Sequence, residues 1–287
     1  MAQIVISRFA PSPTGRLHLG HAYSALAAHD FARERGGRFL LRIEDIDTTR
    51  SRPEHVAGIF EDLAWLGLTW DEPPVFQSQR MPLYERALAD LKALGVLYPC
   101  FCTRADIAAE VAASGFAPHG PDGPLYPGTC RHLTPDERAA RIGSDAHSWR
   151  LDVDAALKIT GPLVWHEGDR AIDATPQVHG DVVLARKDLG TSYHLSVTID
   201  DAAQGITDIV RGVDLFDATH VHCLLQALLN LPAPRYHHHP LLTAPDGSRL
   251  AKRHGAPSLA SMRAEGVDPA TLVAELRTRR AADRSIT

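Results

Sequence analysis

The sequence predicts an α/β fold organised around a parallel sheet, and three observations carry that expectation. Ile4-Val5-Ile6 is a short apolar run bounded by polar residues, as a strand buried on both faces requires. A Pro- and Gly-rich loop, Ala10 to Gly15, then leads into the helical stretch HAYSALAAHDFARERGG, which stops at Gly36-Gly37. Arg38 to Ile43, RFLLRI, reads as the next strand. Strand, loop, helix and strand make a βαβ unit of Rossmann type, which places a ligand where the first strand ends. Neither G-x-G-x-x-G nor G-x-x-x-x-G-K-[ST] occurs, so the dinucleotide and P-loop readings lose their main support.

Further along, apolar residues recur at helical spacing from Pro53 to Leu68 and from Pro82 to Leu97. Asp217 to Leu229 and Ala270 to about Arg280 read as further helices, and Ser148–Val153, Asp181–Ala185 and Ser196–Ile199 as strands. Between Pro99 and Asp145 the chain carries Cys, Gly and Pro with little periodicity, which marks an insertion. Asp246-Gly247, between PLLTA and SRLAK, is a hairpin-turn signal. His237-His238-His239 reads as a partly buried strand edge rather than a metal site, because adjacent residues of a strand point to opposite faces.

The 287 residues are 44% hydrophobic and 23% charged, a globular composition that excludes disordered and fibrous classes. No run approaches the ~20 apolar residues of a membrane helix, and MAQIVISRFAPSPTG lacks the basic-then-apolar pattern of a secretory signal. The expectation is a cytoplasmic monomer with no membrane partner. A net charge of −5 means that any phosphate backbone must meet a local basic patch, for which Arg277, Arg279, Arg280 and Arg284 are candidates. In a cytosolic chain, the grouping of Cys100, Cys102 and Cys130 reads as metal before disulfide, and Cys223 as core.

The strongest chemical signal is RFAPSPTGRLHLGH, Arg8 to His21, at the first βα turn. His18 and His21 share a helix face, and the helix start offers unpaired N–H groups to a triphosphate. Gly20 lets adenine or a phosphate approach the backbone closely. A second signal, Arg249-Leu250-Ala251-Lys252-Arg253, puts a lysine within reach of such phosphates, although a lysine near a turn is by itself usually just solvated.

These two segments resemble the HIGH and KMSKS signatures of class I aminoacyl-tRNA synthetases, and the first is closest to the glutamyl branch. Arg42-Ile43-Glu44-Asp45-Ile46-Asp47, Gln77-Ser78-Gln79-Arg80 with Tyr84, and Ser192-Tyr193-His194 through Asp200-Asp201 to Ile209-Val210-Arg211-Gly212-Val213-Asp214-Leu215 resemble that branch as well. The resemblance runs from Arg8 to about Lys252. It implies that glutamate is adenylated by ATP with magnesium. His18, His21 and Lys252 would then be catalytic and, with Gly20, hold ATP. Arg8, Ala10, Ser12, Glu44, Tyr193 and Arg211 would bind glutamate. Two guanidinium groups suit its two carboxylates, and the Glu44 carboxylate suits its ammonium; which arginine takes the side-chain carboxylate stays open. Asp45 and Asp47 are assigned structural roles. Ala251 and Arg249 depart from the usual serine and lysine, and Ala251 removes a hydroxyl.

Cys100, Cys102 and Cys130 suit structural zinc, which takes four ligands. Tyr126 fits the Y-x-x-x-C pattern of short glutamyl-queuosine enzymes as the fourth, His132 is the chemically commoner ligand, and three free buried cysteines is the bland alternative. Only Arg253 to Thr287 follow the second signature, where full-length glutamyl enzymes continue into anticodon-reading helices. The chain thus resembles the truncated glutamyl-queuosine tRNA(Asp) synthetases. That implies a tRNA(Asp) anticodon arm bearing queuosine as acceptor, and catalytic halves at 1–98 and 181–240. An acceptor-type zinc insertion at 99–180 and a signature loop with a short helical stem-contact region at 241–287 complete the expectation. A shortened enzyme acting on tRNA(Glu), or a catalytically silent tRNA- or nucleotide-binding module, are the rivals.

Overall fold

The computed structural model describes residues 4–113, 119–121, 123–242 and 257–284. Strand β1 (Ile6–Phe9), helix α1 (Leu19–Arg33) and strand β2 (Arg38–Ile43) form the expected βαβ unit, with Ile6 opposite Arg38 and Phe9 opposite Leu41. Gly36, at φ +63°, supplies the left-handed turn that ends α1. Helix α2 (Pro53–Trp65) starts on a proline, and strand β3 (Val75–Phe76) pairs with β2 in parallel.

Helix α3 (Met81–Ala93) leads into strand β4 (Leu97–Cys100), helix α4 (Arg104–Ala113) and the short pair β5 (His119–Gly120) and β6 (Gly123–Pro124). Helix α5 (Pro135–Ile142), strand β7 (Ser148–Leu151), helix α6 (Val153–Thr160), the hairpin β8 (Val164–Glu167) and β9 (Arg170–Asp173), and strand β10 (Val183–Ala185) follow. Strands β10, β7 and β4 make an antiparallel sheet in that order. Helix α7 (Tyr193–Ala203), strand β11 (Asp208–Gly212), helix α8 (Ala218–Leu228) and strand β12 (Arg235–His239) return the chain to the parallel layer, and helices α9 (Leu259–Ala264) and α10 (Pro269–Arg284) pack beside α2 and α1.

The parallel layer joins two ladders, β1-β2-β3 and β11-β12-β8-β9. They meet where the Thr207 N–H donates to the Ile6 carbonyl at 2.9 Å and the Ile6 N–H donates to the Thr207 hydroxyl at 2.8 Å. Strand β1 continues toward α1 and β11 toward α8. The crevice beyond their carboxyl ends is therefore a switch point, where open α/β sheets bind ligands.

Three expectations need correction. Ser196–Ile199 lies inside α7, not in a strand. Its β-branched residues are carried in the helix because Ser196, Val197, Thr198, Asp200 and Asp201 are all buried, and the Thr198 hydroxyl bonds back to the His194 carbonyl at 2.8 Å. Tertiary packing overrides local preference here. His237-His238-His239 does lie in a strand, but β12 is interior, flanked by β11 and β8; β8 comes from a remote segment, which no local pattern could reveal. Finally, the candidate basic patch is partly offset: Arg277 and Arg280 both donate to Asp30 at 2.9–3.0 Å and staple α10 to α1, although Arg277 stays exposed. Asp246-Gly247 lies outside the described residues.

Candidate active site and metal cluster

Helix α1 starts on the two signature histidines themselves. His18 is its N-cap: its Nδ1 accepts from the Gly20 N–H at 3.1 Å, while the His21 Nδ1 accepts from the His18 N–H at 3.2 Å. This is a reciprocal capping box written in imidazole instead of hydroxyl and carboxylate. Because both Nδ1 atoms accept, each neutral ring carries its proton on Nε2, the arrangement that suits a phosphate acceptor. A Cβ at Gly20 would lie 3.0 Å from the His18 ring and would press on the capping imidazole.

Arg211, at the end of β11, is buried and makes a complete set of bonds. Nε donates to His238 Nε2 at 3.1 Å. One terminal nitrogen donates to the Thr219 hydroxyl at 2.7 Å and the Leu215 carbonyl at 3.0 Å. The other reaches Tyr193 Oη and His222 Nδ1, both at 3.4 Å. Five donors thus meet five acceptors, and every acceptor is neutral. Burial and the neighbouring Arg211 hold His222 well below the usual imidazole range, so it stays uncharged. Among the described residues no carboxylate touches Arg211, so this buried cation has no direct charge partner at the cavity wall. Its two long bonds are on the nitrogen beside Tyr193, where an anion could replace them.

Arg8 is neutralised within the protein. It donates to Asp201 at 2.8 and 3.3 Å, and Asp201 also accepts from the fully buried Arg42 at 2.7 Å. Arg42 reaches Glu44 at 3.2 Å. Burial alone would raise Asp201; Arg42 and Arg8 outweigh it and hold its carboxyl below the usual range. For Glu44 burial wins, pushing its carboxyl above the usual range against the pull of Arg42 and Arg8.

Arg8, Ala10, Ser12, His18, Gly20, His21, Glu44, Tyr193 and Arg211 all line one cavity of about 620 Å³ at the switch point. Lys252, with Arg249, Ala251 and Arg253, lies outside the described residues. The sequence reading missed Ser24 and His239, whose side chains bond to each other at 2.8 Å in the same wall. Ser24 was legible, one helical turn on from His21 and Gly20. His239 was not, because it reaches the site through the pairing of Gly212 with His239 between β11 and β12.

The cysteine cluster lies elsewhere. The sulfurs of Cys100, Cys102 and Cys130 all lie within 4.8 Å of one another. The Tyr126 Oη sits 3.4 Å from Cys100 Sγ and 3.6 Å from Cys102 Sγ, and accepts from the Cys130 N–H at 2.9 Å. The Cys102 and Cys130 sulfurs are 3.5 Å apart, near the edge of about 3.8 Å expected for a tetrahedron with 2.3 Å metal–sulfur bonds. Three soft donors and one oxygen thus converge as a four-coordinate metal would need. His132 is exposed and stands outside this group.

The α/β fold with its ligand crevice at the switch point, and two histidines at the first helix start, fit a nucleotide-binding domain of the class I synthetase type. The tRNA synthetases class I (E and Q) catalytic domain family matches residues 4–286. The chain belongs to this family, and within it to the group formed by the glutamyl-Q tRNA(Asp) synthetases. It is 51% identical over 275 residues to the glutamyl-Q tRNA(Asp) synthetase of Rhodobacter capsulatus, covering 93% of this chain and 98% of that one. It is 47% identical to its namesake in Symbiobacterium thermophilum, over 95% and 85% of the two chains. Among solved structures it resembles the glutamate-tRNA synthetase of Elizabethkingia anophelis, with a TM-score of 0.75 and 30% identity over 88% of this chain. It spans about half of that longer enzyme, 53%. The protein is thus a ligase of the class I synthetase type, whose family uses ATP.

Proposed function

We propose that the chain activates glutamate with ATP and transfers it to queuosine at the wobble position of tRNA(Asp). One observation carries the amino-acid half of this reading: Arg211 is a buried cation whose partners among the described residues are all neutral, at the wall of the cavity that also holds Glu44 and the two histidines. The names of the relatives support the acceptor half. Arg8 and Arg211 between them take the two carboxylates of glutamate, Glu44 its ammonium, Tyr193 and Ser12 further hydrogen bonds, and Ala10 backs the ligand. His18 and His21 donate from Nε2 to the phosphates, Gly20 admits the nucleotide, and Lys252 adds charge. Magnesium accompanies ATP. A glutamate carboxylate oxygen attacks the α-phosphorus and pyrophosphate leaves; a queuosine diol hydroxyl then attacks the mixed anhydride and AMP leaves. Such chemistry needs positioning and charge stabilisation more than a general base.

The same proposal includes structural zinc on Cys100, Cys102, Cys130 and Tyr126, a monomer, and a cytoplasmic location. Among the described residues no helix is long and apolar enough to cross a membrane. The division at 98, 180 and 240 is also part of it, with β8 lent to the parallel sheet and β10 to the antiparallel one.

The acceptor is tested with radiolabelled glutamate on a tRNA(Asp) anticodon-arm fragment made without a free 3′ diol. Label is expected with queuosine in place and none with guanosine there. A fragment that stays unlabelled while intact tRNA(Glu) is charged would overturn the acceptor. For zinc, metal analysis of untagged protein should find about one ion per chain, and Cys102→Ser should lower both occupancy and melting temperature. Equal occupancy in Tyr126→Phe would remove the tyrosine from the ligand set.

Glutamate binding should also depend on pH. The Glu44 carboxyl is raised, so below that value it holds a proton that pairing with an ammonium must expel. Affinity should therefore fall as pH drops through the raised value, with protons released on binding in that range. Calorimetry in buffers of differing ionisation enthalpy reads this directly; proton uptake would contradict the role of Glu44.

A further inference from the structure

Strand β8 contributes Glu167, which lines no part of the cavity yet grips one of its supports. The His238 N–H donates to Glu167 Oε1 at 2.7 Å, and His238 Nδ1 lies 2.6 Å from Oε2. A carboxylate can only accept, so Nδ1 carries the proton. The opposite nitrogen, Nε2, is then an acceptor, and 3.1 Å away stands Arg211 Nε, which can only donate. Only one proton arrangement satisfies all three groups. The other neutral tautomer, or the imidazolium, would set N–H against N–H at Arg211.

We propose that Glu167 and His238 form a positioning relay that fixes the Arg211 guanidinium and thereby its selection of glutamate over glutamine. The relay rests on the reading of Arg211 as a carboxylate-binding residue. It resembles the carboxylate–histidine–cation arrangement that orients metal ligands, with a guanidinium in place of the ion. The interposed ring is what matters. A carboxylate directly on Arg211 would cancel the charge that attracts the substrate. Placed one imidazole away, Glu167 supplies direction without a carboxylate contact on the guanidinium. On the other side His222 plays a supporting part: its Nδ1 accepts from Arg211, which leaves its Nε2 to donate to His194 Nδ1 at 3.2 Å. The neutral imidazoles therefore hold the guanidinium from two sides, and the nitrogen beside Tyr193 is left with the weakest bonds.

The test is steady-state ATP–pyrophosphate exchange with the full chain as wild type, Glu167→Ala, His238→Phe, His238→Gln and the Glu167→Ala/His238→Phe double variant. His238→Phe is expected to raise KM for glutamate by about tenfold or more, while KM for ATP and kcat stay within about threefold. The preference for glutamate over glutamine should fall in similar proportion. Glu167→Ala should move KM for glutamate the same way by about three- to tenfold, without touching the cavity. The double variant should be no worse than His238→Phe, because Glu167 acts through that ring. His238→Gln, whose side-chain oxygen can accept from Arg211 Nε, should recover much of the loss. Glutamate KM unchanged within about twofold in both single variants would overturn the relay. So would effects that multiply in the double variant, or KM values for ATP and glutamate that rise together. A wild type that exchanges no glutamate would instead sink the reading of the site itself.

Discussion

Arg211→Ala should lower kcat/KM for glutamate in ATP–pyrophosphate exchange by about a thousandfold, the equivalent of ~4 kcal/mol. The size follows from the geometry. The guanidinium meets five acceptors, and none of them carries charge to be stranded when it goes. Folding should therefore suffer less than binding, and a melting curve should show a modest shift beside the large kinetic loss. What disappears is a buried cation with no carboxylate partner among the described residues, and with it the cause for choosing an anionic side chain. Arg211→Lys should recover little: three donors on a flexible stem cannot serve acceptors arranged for a planar fork. A loss smaller than about tenfold would mean that Arg8 carries the carboxylate alone, despite its pairing with Asp201.

Asp200→Ala should act in the opposite manner, on the fold before the chemistry. This fully buried carboxylate accepts from Arg80 Nε at 2.6 Å, Tyr84 Oη at 2.7 Å and Gln77 Nε2 at 2.8 Å, with Arg42 Nε 3.9 Å away. Removing it strands the Arg80 cation, the Tyr84 phenol and the Gln77 amide in α3 and the turn between β3 and α3, while Arg42 keeps Asp201 and Glu44. Breaking a buried pair in this way costs about 3–5 kcal/mol. For a chain of this size that is a melting shift on the order of 10 °C. Chemical denaturation of wild type and variant decides it; a change below about 1 kcal/mol would show that the network relaxes around the hole.

Much of the site was legible because its residues lie in short local strings. The path from β1 through the loop to α1 needed only an apolar run, a Pro-Gly loop and histidines three apart, and it places Arg8, Ser12, His18, Gly20 and His21 together. Glu44 followed from its place just after β2. What stayed hidden depends on pairing between distant segments. His238 and His239 looked like part of a plain histidine run until β12 was seen between β11 and β8. The role of Glu167 required knowing that β8 joins the parallel layer at all. The Arg42–Asp201–Asp200 network links residues about 160 positions apart, so no spacing rule could have assembled it. Ser196–Ile199 failed for the complementary reason: its composition favours a strand, and only burial on the helix faces of α7 decides otherwise.

The junction of Ile6 with Thr207 also has a consequence for the chain as it is made. Ribosomes add about 5–20 residues per second, so the first strand waits about 10–40 s for the neighbour that completes its far side. During that interval β1 and β2 can pair, but one edge of β1 is bare, and a bare hydrophobic edge invites other nascent chains. The crevice, too, has only one wall until β11 arrives. Ligands that span the two walls can therefore stabilise only the finished molecule, and a growing chain must rely on its own helices or on chaperones to keep that edge from aggregation.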